Sequence, residues 1–176
     1  MEEQESTREA AASLDEKIHL LASMMSRDQD AGGLGTGEMA ELRRWRYGGA
    51  VQPAAWRLLA RFAKASGAMS LESENRWLAV LSGMAHMSPA PHRPGEKPGK
   101  ILAEAGYSEN RFHKLLNSQG DAFFDAVERT CRFLRAKGVS MDWSRFARFI
   151  LTRDPDQAEE QRRQLARDYF AHQTSK

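Results

Sequence analysis

Arginine and lysine recur in this sequence at spacings that place them together on helix faces. The sets with this spacing are Arg111/Lys114, Arg129/Arg132/Arg135 and Arg145/Arg148. Residues three positions apart share one face of a helix, and a guanidinium group can bond two phosphate oxygens at once. The pattern is typical of a protein that binds a polyanion. Each set taken singly is also typical of an ordinary solvated helix surface.

A second group of basic residues is interleaved with aromatic ones. Arg43, Arg44 and Arg46 flank Trp45 and Tyr47. Aromatic rings beside a basic surface can stack on unpaired bases, which is how many proteins bind single strands. This segment therefore favours the same class of ligand.

Signatures of catalysis and of metal or cofactor binding are missing from the sequence. It contains no Walker A loop, no strand-linked G-x-G-x-x-G and no H-E-x-x-H. The five histidines are scattered, and the single cysteine, Cys131, cannot form an internal disulfide or a multi-cysteine metal site. The glycine-rich stretch 29–37 has no lysine at phosphate-loop spacing and is interpreted as a loop. We expect no enzymatic activity, no cofactor and no bound metal.

The elements that carry these residues are predicted to be helices throughout. Helix formers dominate, valine and isoleucine are scarce, and apolar residues recur with helical period. The sequence predicts an all-α bundle of about eight helices. The predicted segments are 10–28, 37–46, 53–66, 71–87, 100–105, 108–117, 121–137, 143–152 and a last helix from 155 to 172.

The best candidate for a domain boundary is the segment 88–99, which holds four prolines and two glycines. It divides the chain into a predicted N-terminal lobe, residues 14–87, and a C-terminal lobe, residues 100–172. Residues 1–13 are predicted to be an acidic and flexible extension. The first thirty residues carry eight acidic and three basic groups, whereas residues 31–66 carry six basic and two acidic groups. An acidic start therefore precedes a basic body, and the local field decides whether a polyanion is attracted.

Two short predicted helices in residues 101–116 have the spacing of a helix-turn-helix, with a turn at Gly106 and Ser108 as a helix cap. On this interpretation the second helix would enter a major groove, and the protein would be a transcriptional regulator. Many helical hairpins share the pattern, so the alternative remains open.

No apolar run approaches the length of a membrane span, and the acidic start does not resemble a signal peptide. We expect a cytoplasmic protein.

A more specific resemblance rests on several motifs in a fixed order. They are Gly37-Glu38-Met39-Ala40-Glu41-Leu42-Arg43-Arg44, Trp56-Arg57-Leu58-Leu59, Gly99-Lys100-Ile101-Leu102-Ala103, Gly106-Tyr107-Ser108-Glu109-Asn110-Arg111-Phe112 with Leu115-Leu116, a long helix with Arg132, and Asp142-Trp143 with Ala147-Arg148. Over residues 14 to 170 the chain resembles the CasB family, the small subunit of the type I-E CRISPR surveillance complex Cascade. The acidic extension and the proline-rich segment have no counterpart in that pattern.

The resemblance implies a non-catalytic, all-α small subunit in two lobes. Its expected partners are the backbone and large subunits of the complex, a second copy of itself, guide RNA, and the target and displaced DNA strands. The residues that it implies for contact with phosphates are Arg44, Arg76, Lys100, Arg111, Arg132 and Arg148. A third possibility is a protein-interaction bundle whose arginines pair with acidic neighbours.

Overall fold

The structure is a computed structural model that describes residues 13–26, 32–63 and 69–173. Of the predicted acidic extension, 1–13, only Ser13 falls within these ranges. The helices are α1 (Leu14–Ser26), α2 (Thr36–Arg44), α3 (Pro53–Leu58), α4 (Leu71–Met87), α5 (Pro98–Glu104), α6 (Glu109–Asn117), α7 (Gly120–Lys137), α8 (Trp143–Leu151) and α9 (Pro155–His172). Within the described ranges there is no β-strand, only an isolated bridge between His92 and Met141. The all-α prediction is confirmed.

Several helix ends follow directly from the sequence. Asp142 caps α8 by accepting a hydrogen bond from the Ser144 backbone N–H, at 3.0 Å. Gly138 ends α7 with a φ of 67°, the left-handed conformation that glycine adopts without strain. The start of α5 was predicted two residues too late, because Pro98 belongs to its first turn, where a missing N–H costs nothing.

The helix that begins at Pro53 does not continue as a regular α-helix. After Leu58 it changes to a π-helical turn, Leu59–Ala63. Such turns are rare, and their i→i+5 bonds have no separate sequence signature. The periodicity therefore predicted one continuous helix here.

Helix α4 is the central element of the core. Every residue from Leu78 to Ala85 is buried, so its second half is surrounded by other helices. It packs mainly against α7, with further contacts to α2 and α8. Gly83 lets the Trp143 indole approach closely, since an added Cβ would lie 2.5 Å from Trp143 Cη2.

Helices α5 and α9 form the other close pair. A Cβ on Gly99 would lie 2.3 Å from the Leu165 carbonyl oxygen and 2.7 Å from the Tyr169 backbone nitrogen. Tyr169 also donates its hydroxyl hydrogen to the Tyr107 carbonyl, which joins α9 to the turn between α5 and α6. This contact fixes where α6 begins, and α6 carries basic residues of the candidate site.

Buried side chains from both sides of the 88–99 segment belong to one hydrophobic cluster. The segment itself is hydrogen-bonded to the start of α8: the Arg93 N–H donates to the Met141 carbonyl, and the Asp142 N–H donates to the Glu96 carbonyl. The division into two lobes at this segment stays a prediction.

Candidate nucleic-acid interface

A basic groove lies between α6 and α7, with a volume of about 610 Å³. Four cationic side chains line it, and Asp125 is the one acidic residue in its lining. The cations are Arg111, Lys114, Arg129 and Arg132, which we call the groove cations. Two of them, Arg111 and Arg132, belong to the six predicted contacts, so the fold brings these two together.

The α6 side of the groove follows from the amphipathic pattern of that helix. Phe112 and Leu115 are buried against the core, which turns Arg111 and Lys114 outward. Ser108 occupies the N-cap position as predicted, but its side chain makes no capping hydrogen bond. In the part of the chain that the structure describes, Arg111 and Lys114 form no ion pair with any carboxylate.

On the α7 side the two arginines form weak pairs within their own helix. Arg129 lies 3.7 Å from Asp125, and Arg132 lies 3.5 Å from Glu128. Both guanidinium groups are well exposed, and exposed pairs of this spacing contribute only about 0.3–0.5 kcal/mol. A phosphate can therefore compete with these carboxylates for both arginines.

Tyr107 also lines the groove. Its hydroxyl is hydrogen-bonded to Thr130 Oγ1 at 2.9 Å. Burial raises the pKa of this phenol, while the positive charges of Arg111 and Arg129 act in the opposite direction. The hydrogen bond to Thr130 also lowers this pKa, and more strongly than either arginine does.

Arg132 also connects the groove to a second group of cations. Its partner Glu128 is 3.0 Å from Arg46 and 3.7 Å from His86. Arg43 and Arg135 lie close by, since Arg43 bonds the Ala85 carbonyl and Arg135 bonds the carbonyls of His86 and Ser88. We call Arg43, Arg46, Arg132 and Arg135 the arginine cluster.

The electrostatics of the arginine cluster appear in the groups around it. Burial, together with the nearby charges of Arg132, Arg46 and Arg43, lowers the pKa of His86 to about 4. Burial and the charge of Arg135 together lower the pKa of Arg43. Two of the four cluster arginines, Arg46 and Arg132, share the carboxylate of Glu128, so this one negative charge offsets the positive charge of the cluster only in part.

Arg43, Arg46 and Arg135 were not among the six predicted site residues. Their signal was present, because Arg135 belongs to the stripe Arg129/Arg132/Arg135, and Arg43 and Arg46 belong to the group that flanks Trp45. What the sequence did not reveal is that α2 and α7 both pack on α4, which brings the two patterns together.

The other four predicted contacts lie outside the groove lining. Arg44 is exposed and bonds the Ala40 carbonyl of its own helix, at 3.2 Å. Arg76 is engaged internally: it bonds Glu72 and the Ile150 carbonyl, and it lies over a phenylalanine ring. Arg76 thus joins α4 to the end of α8.

Lys100 and Arg148 are both paired with carboxylates. Lys100 Nζ is 3.5 Å from Glu96 and 4.0 Å from Glu104. Arg148 is 2.6 Å from Asp15 of α1. Of the six residues, only Arg111 and Arg132 line the basic groove.

The helix-turn-helix interpretation concerns α5 and α6. Helix α6 packs against α7, and its basic residues face the groove that it shares with that helix.

In the described ranges no group of three or more His, Cys, Asp or Glu side chains is arranged to hold a metal ion. None of the helices described is both long and apolar enough to cross a membrane.

Comparison with known proteins identifies the family. The model of the CRISPR-associated protein Cse2 family matches residues 38–170. The chain belongs to this family. The match includes α6, α7 and thus all the groove cations, and it begins at Glu38, later than the resemblance in the sequence suggested. No curated protein sequence matches the chain.

Two solved structures share the fold. A crystal structure of CasB from Thermobifida fusca superposes with a TM-score of 0.67 at 20% identity, covering 90% of this chain and 95% of that one. A chain in the crystal structure of E. coli Cascade bound to a PAM-containing double-stranded DNA target gives a TM-score of 0.65 at 20% identity, covering 88% and 95%. These similarities support the all-α architecture.

Proposed function

We propose that this chain is a non-catalytic small subunit of a type I-E, Cascade-type RNA-guided surveillance complex in antiviral defence. In this role it binds the sugar–phosphate backbone and stabilises the R-loop, both target and displaced DNA strands. The observation that carries the proposal is the groove between α6 and α7, with four cations and one carboxylate in its lining. Membership of the Cse2 family supports the assignment to such a complex.

The chemistry of the groove suits binding without sequence reading. Its cations reach outward from exposed positions, and such side chains contact phosphates in any sequence. In guided complexes the pairing of guide and target reads the sequence, so a subunit needs only backbone contacts. The proposed partners are the backbone and large subunits, a second copy of the chain, guide RNA, and the target and displaced DNA strands. Such a complex would act in the cytoplasm.

The salt dependence of binding tests the groove directly. Each phosphate contact to a single strand contributes about −0.7 to the log–log slope of affinity against salt. Contacts from all four groove cations therefore predict a slope of about −2.8. The double variant Arg111→Ala/Lys114→Ala removes the two unpaired cations and should reduce the slope to about −1.4. Titration of the full chain with fluorescent single-stranded oligonucleotides measures both slopes.

A matched control is available on α9. Arg163→Ala/Arg167→Ala removes the same charge from exposed positions, where these arginines pair with Glu159 and Glu160. This control should keep the slope of the native chain. Equal losses in the two double variants would mean that net charge, and not the groove, governs binding.

Oligonucleotide sequence separates the proposal from its alternatives. The groove should bind random sequences within about threefold of one another, since phosphate contacts carry no sequence information. Strong preference for one duplex over scrambled competitors would favour a helix-turn-helix regulator. Absence of any salt-sensitive binding would favour a protein-interaction bundle.

A further inference from the structure

An exposed tyrosine lies beside the arginine cluster, on the turn after α2. The ring of Tyr47 stacks on the ring of Phe124, with centroids 4.7 Å apart and an interplanar angle of 12°. Phe124 is only 7% exposed, whereas Tyr47 is 40% exposed. One face of the tyrosine is therefore supported by the core, and a large part of the side chain remains accessible.

Both the turn and the core hold this ring in place. The Gly49 N–H donates to the Arg46 carbonyl at 2.9 Å, and Gly48 between them has a φ of 72°. This is the hydrogen bond and the positive φ of a type II turn, with Tyr47 in its second position. Phe124 is fixed in turn by the edge of Trp45, 6.0 Å away between centroids. The tyrosine is thus positioned before any ligand arrives.

Cations stand on both sides of Tyr47. Arg46 precedes it in the turn and is half exposed, although it pairs with Glu128. On the other side Tyr47 lines a groove of about 370 Å³ that also contains Arg76, Arg153 and Arg162. Glu72 is the one carboxylate in that lining and pairs with both Arg76 and Arg153, while Arg162 pairs with Glu159 outside it. This aromatic groove shares Ser118 with the basic groove, so the two adjoin.

We propose that the outward face of Tyr47 is a stacking platform for one unpaired nucleobase of a bound single strand. The inference rests on the proposed function and extends it from phosphates to bases. Proteins that bind single strands without reading sequence combine a positive groove with aromatic rings, because every base has a π-face. Here the preformed ring and the cations beside it supply both parts. The excess of arginine over carboxylate favours a polyanion over an apolar protein segment.

Substitution of Tyr47 gives the first test, using the full chain and a single-stranded DNA of mixed sequence. Loss of one base–aromatic stack should weaken binding about five- to 150-fold in Tyr47→Ala. Tyr47→Phe keeps the ring and should bind within about twofold of the native chain. Trp56→Ala is the matched control, because Trp56 is also an exposed aromatic residue and lines neither groove.

An abasic strand separates stacking from folding. On an oligonucleotide whose sugars carry no bases, the native chain should bind as weakly as Tyr47→Ala binds the normal strand. The affinity of Tyr47→Ala should be the same for the abasic and the normal strand. An equal loss on normal and abasic strands would overturn the proposal, since the substitution would then act on structure alone. An unchanged affinity of Tyr47→Ala for the normal strand would also overturn it.

Photo-crosslinking gives a positive readout. A strand containing 5-iodouracil couples to an aromatic ring stacked on it, and mass spectrometry locates the site. The other two tyrosines, Tyr107 and Tyr169, are buried, so a tyrosine crosslink should map to Tyr47. The slope of affinity against salt distinguishes the failure of the stacking platform from that of the groove function. If the slope persists but the Tyr47→Ala effect, the abasic-strand effect and the crosslink are all missing, only the stacking platform fails. A missing slope removes the groove function as well.

Discussion

Replacement of Gly99 by alanine tests how closely α5 and α9 pack. The added Cβ would lie 2.3 Å from the Leu165 carbonyl oxygen, 2.7 Å from the Tyr169 nitrogen and 2.9 Å from Asp168 Cβ. Two of these atoms are backbone, so no side-chain rotation can relieve the clash and α9 must move as a unit. Overpacking of a core typically costs about 1–3 kcal/mol, and we expect the upper end of this range. For a chain of this size that is a fall in Tm of roughly 6–12 °C.

A second alanine substitution isolates this contact. Gly37 lies in α2, and apart from its chain neighbours and the backbone of its own helix, a Cβ added to it would meet no atom within 4 Å. There the same change should raise the free energy of unfolding by at most about 0.5 kcal/mol, because alanine favours a helix over glycine but Gly37 lies in the first turn. Urea denaturation followed by circular dichroism measures both variants. If Gly99→Ala stayed within about 0.5 kcal/mol of the native chain, the close approach of α5 and α9 would be wrong.

Three further predictions concern ionisable residues. Arg76→Ala should lower the free energy of unfolding by about 2 kcal/mol, because it removes a bond to the Ile150 carbonyl; a larger effect on DNA affinity than on denaturation would identify Arg76 as a contact. Glu128→Gln removes the carboxylate beside Arg132 and should tighten single-strand binding about two- to fivefold at low salt; weaker binding in a titration would contradict this. The pKa of His86 falls from 6.5 to about 4 on folding, so the unfolded chain takes up its proton first. Stability should fall as the pH drops from 6.5 to 4, by up to about 3 kcal/mol, and denaturation of His86→Gln should lack this component.

The helices were largely predictable because their determinants are local. Three signals act within a few residues of the helix that they specify: helical periodicity, proline at a helix start, and a capping residue. The caps predicted at Gly138 and Asp142 are both found in the structure. The π-helical turn at Leu59–Ala63 was missed, since its hydrogen bonding depends on packing and not on a sequence pattern. The early start of α5 was missed because Pro98 was interpreted as part of a linker.

The site was only partly predictable because convergence is a tertiary property. Arg111 and Arg132 meet where α6 packs on α7, and no local pattern specifies that contact. The partner of Arg148 is Asp15, 133 positions away in the chain. A sequence pattern can show that an arginine is on a helix face, but not whether a distant carboxylate already occupies it.

The pairing state of each cation decides which of them can bind a phosphate. A guanidinium that already holds a buried carbonyl, as Arg76 does, would lose that bond on turning to a ligand. Arg111 and Lys114 carry no such cost, because no described carboxylate pairs with them. Glu128 pairs with both Arg46 and Arg132, so one negative charge lowers their mutual repulsion in the free protein without neutralising both. The groove between α6 and α7 is therefore the part of this surface where an incoming strand gains the most binding free energy, because its phosphates displace the fewest existing ion pairs and hydrogen bonds.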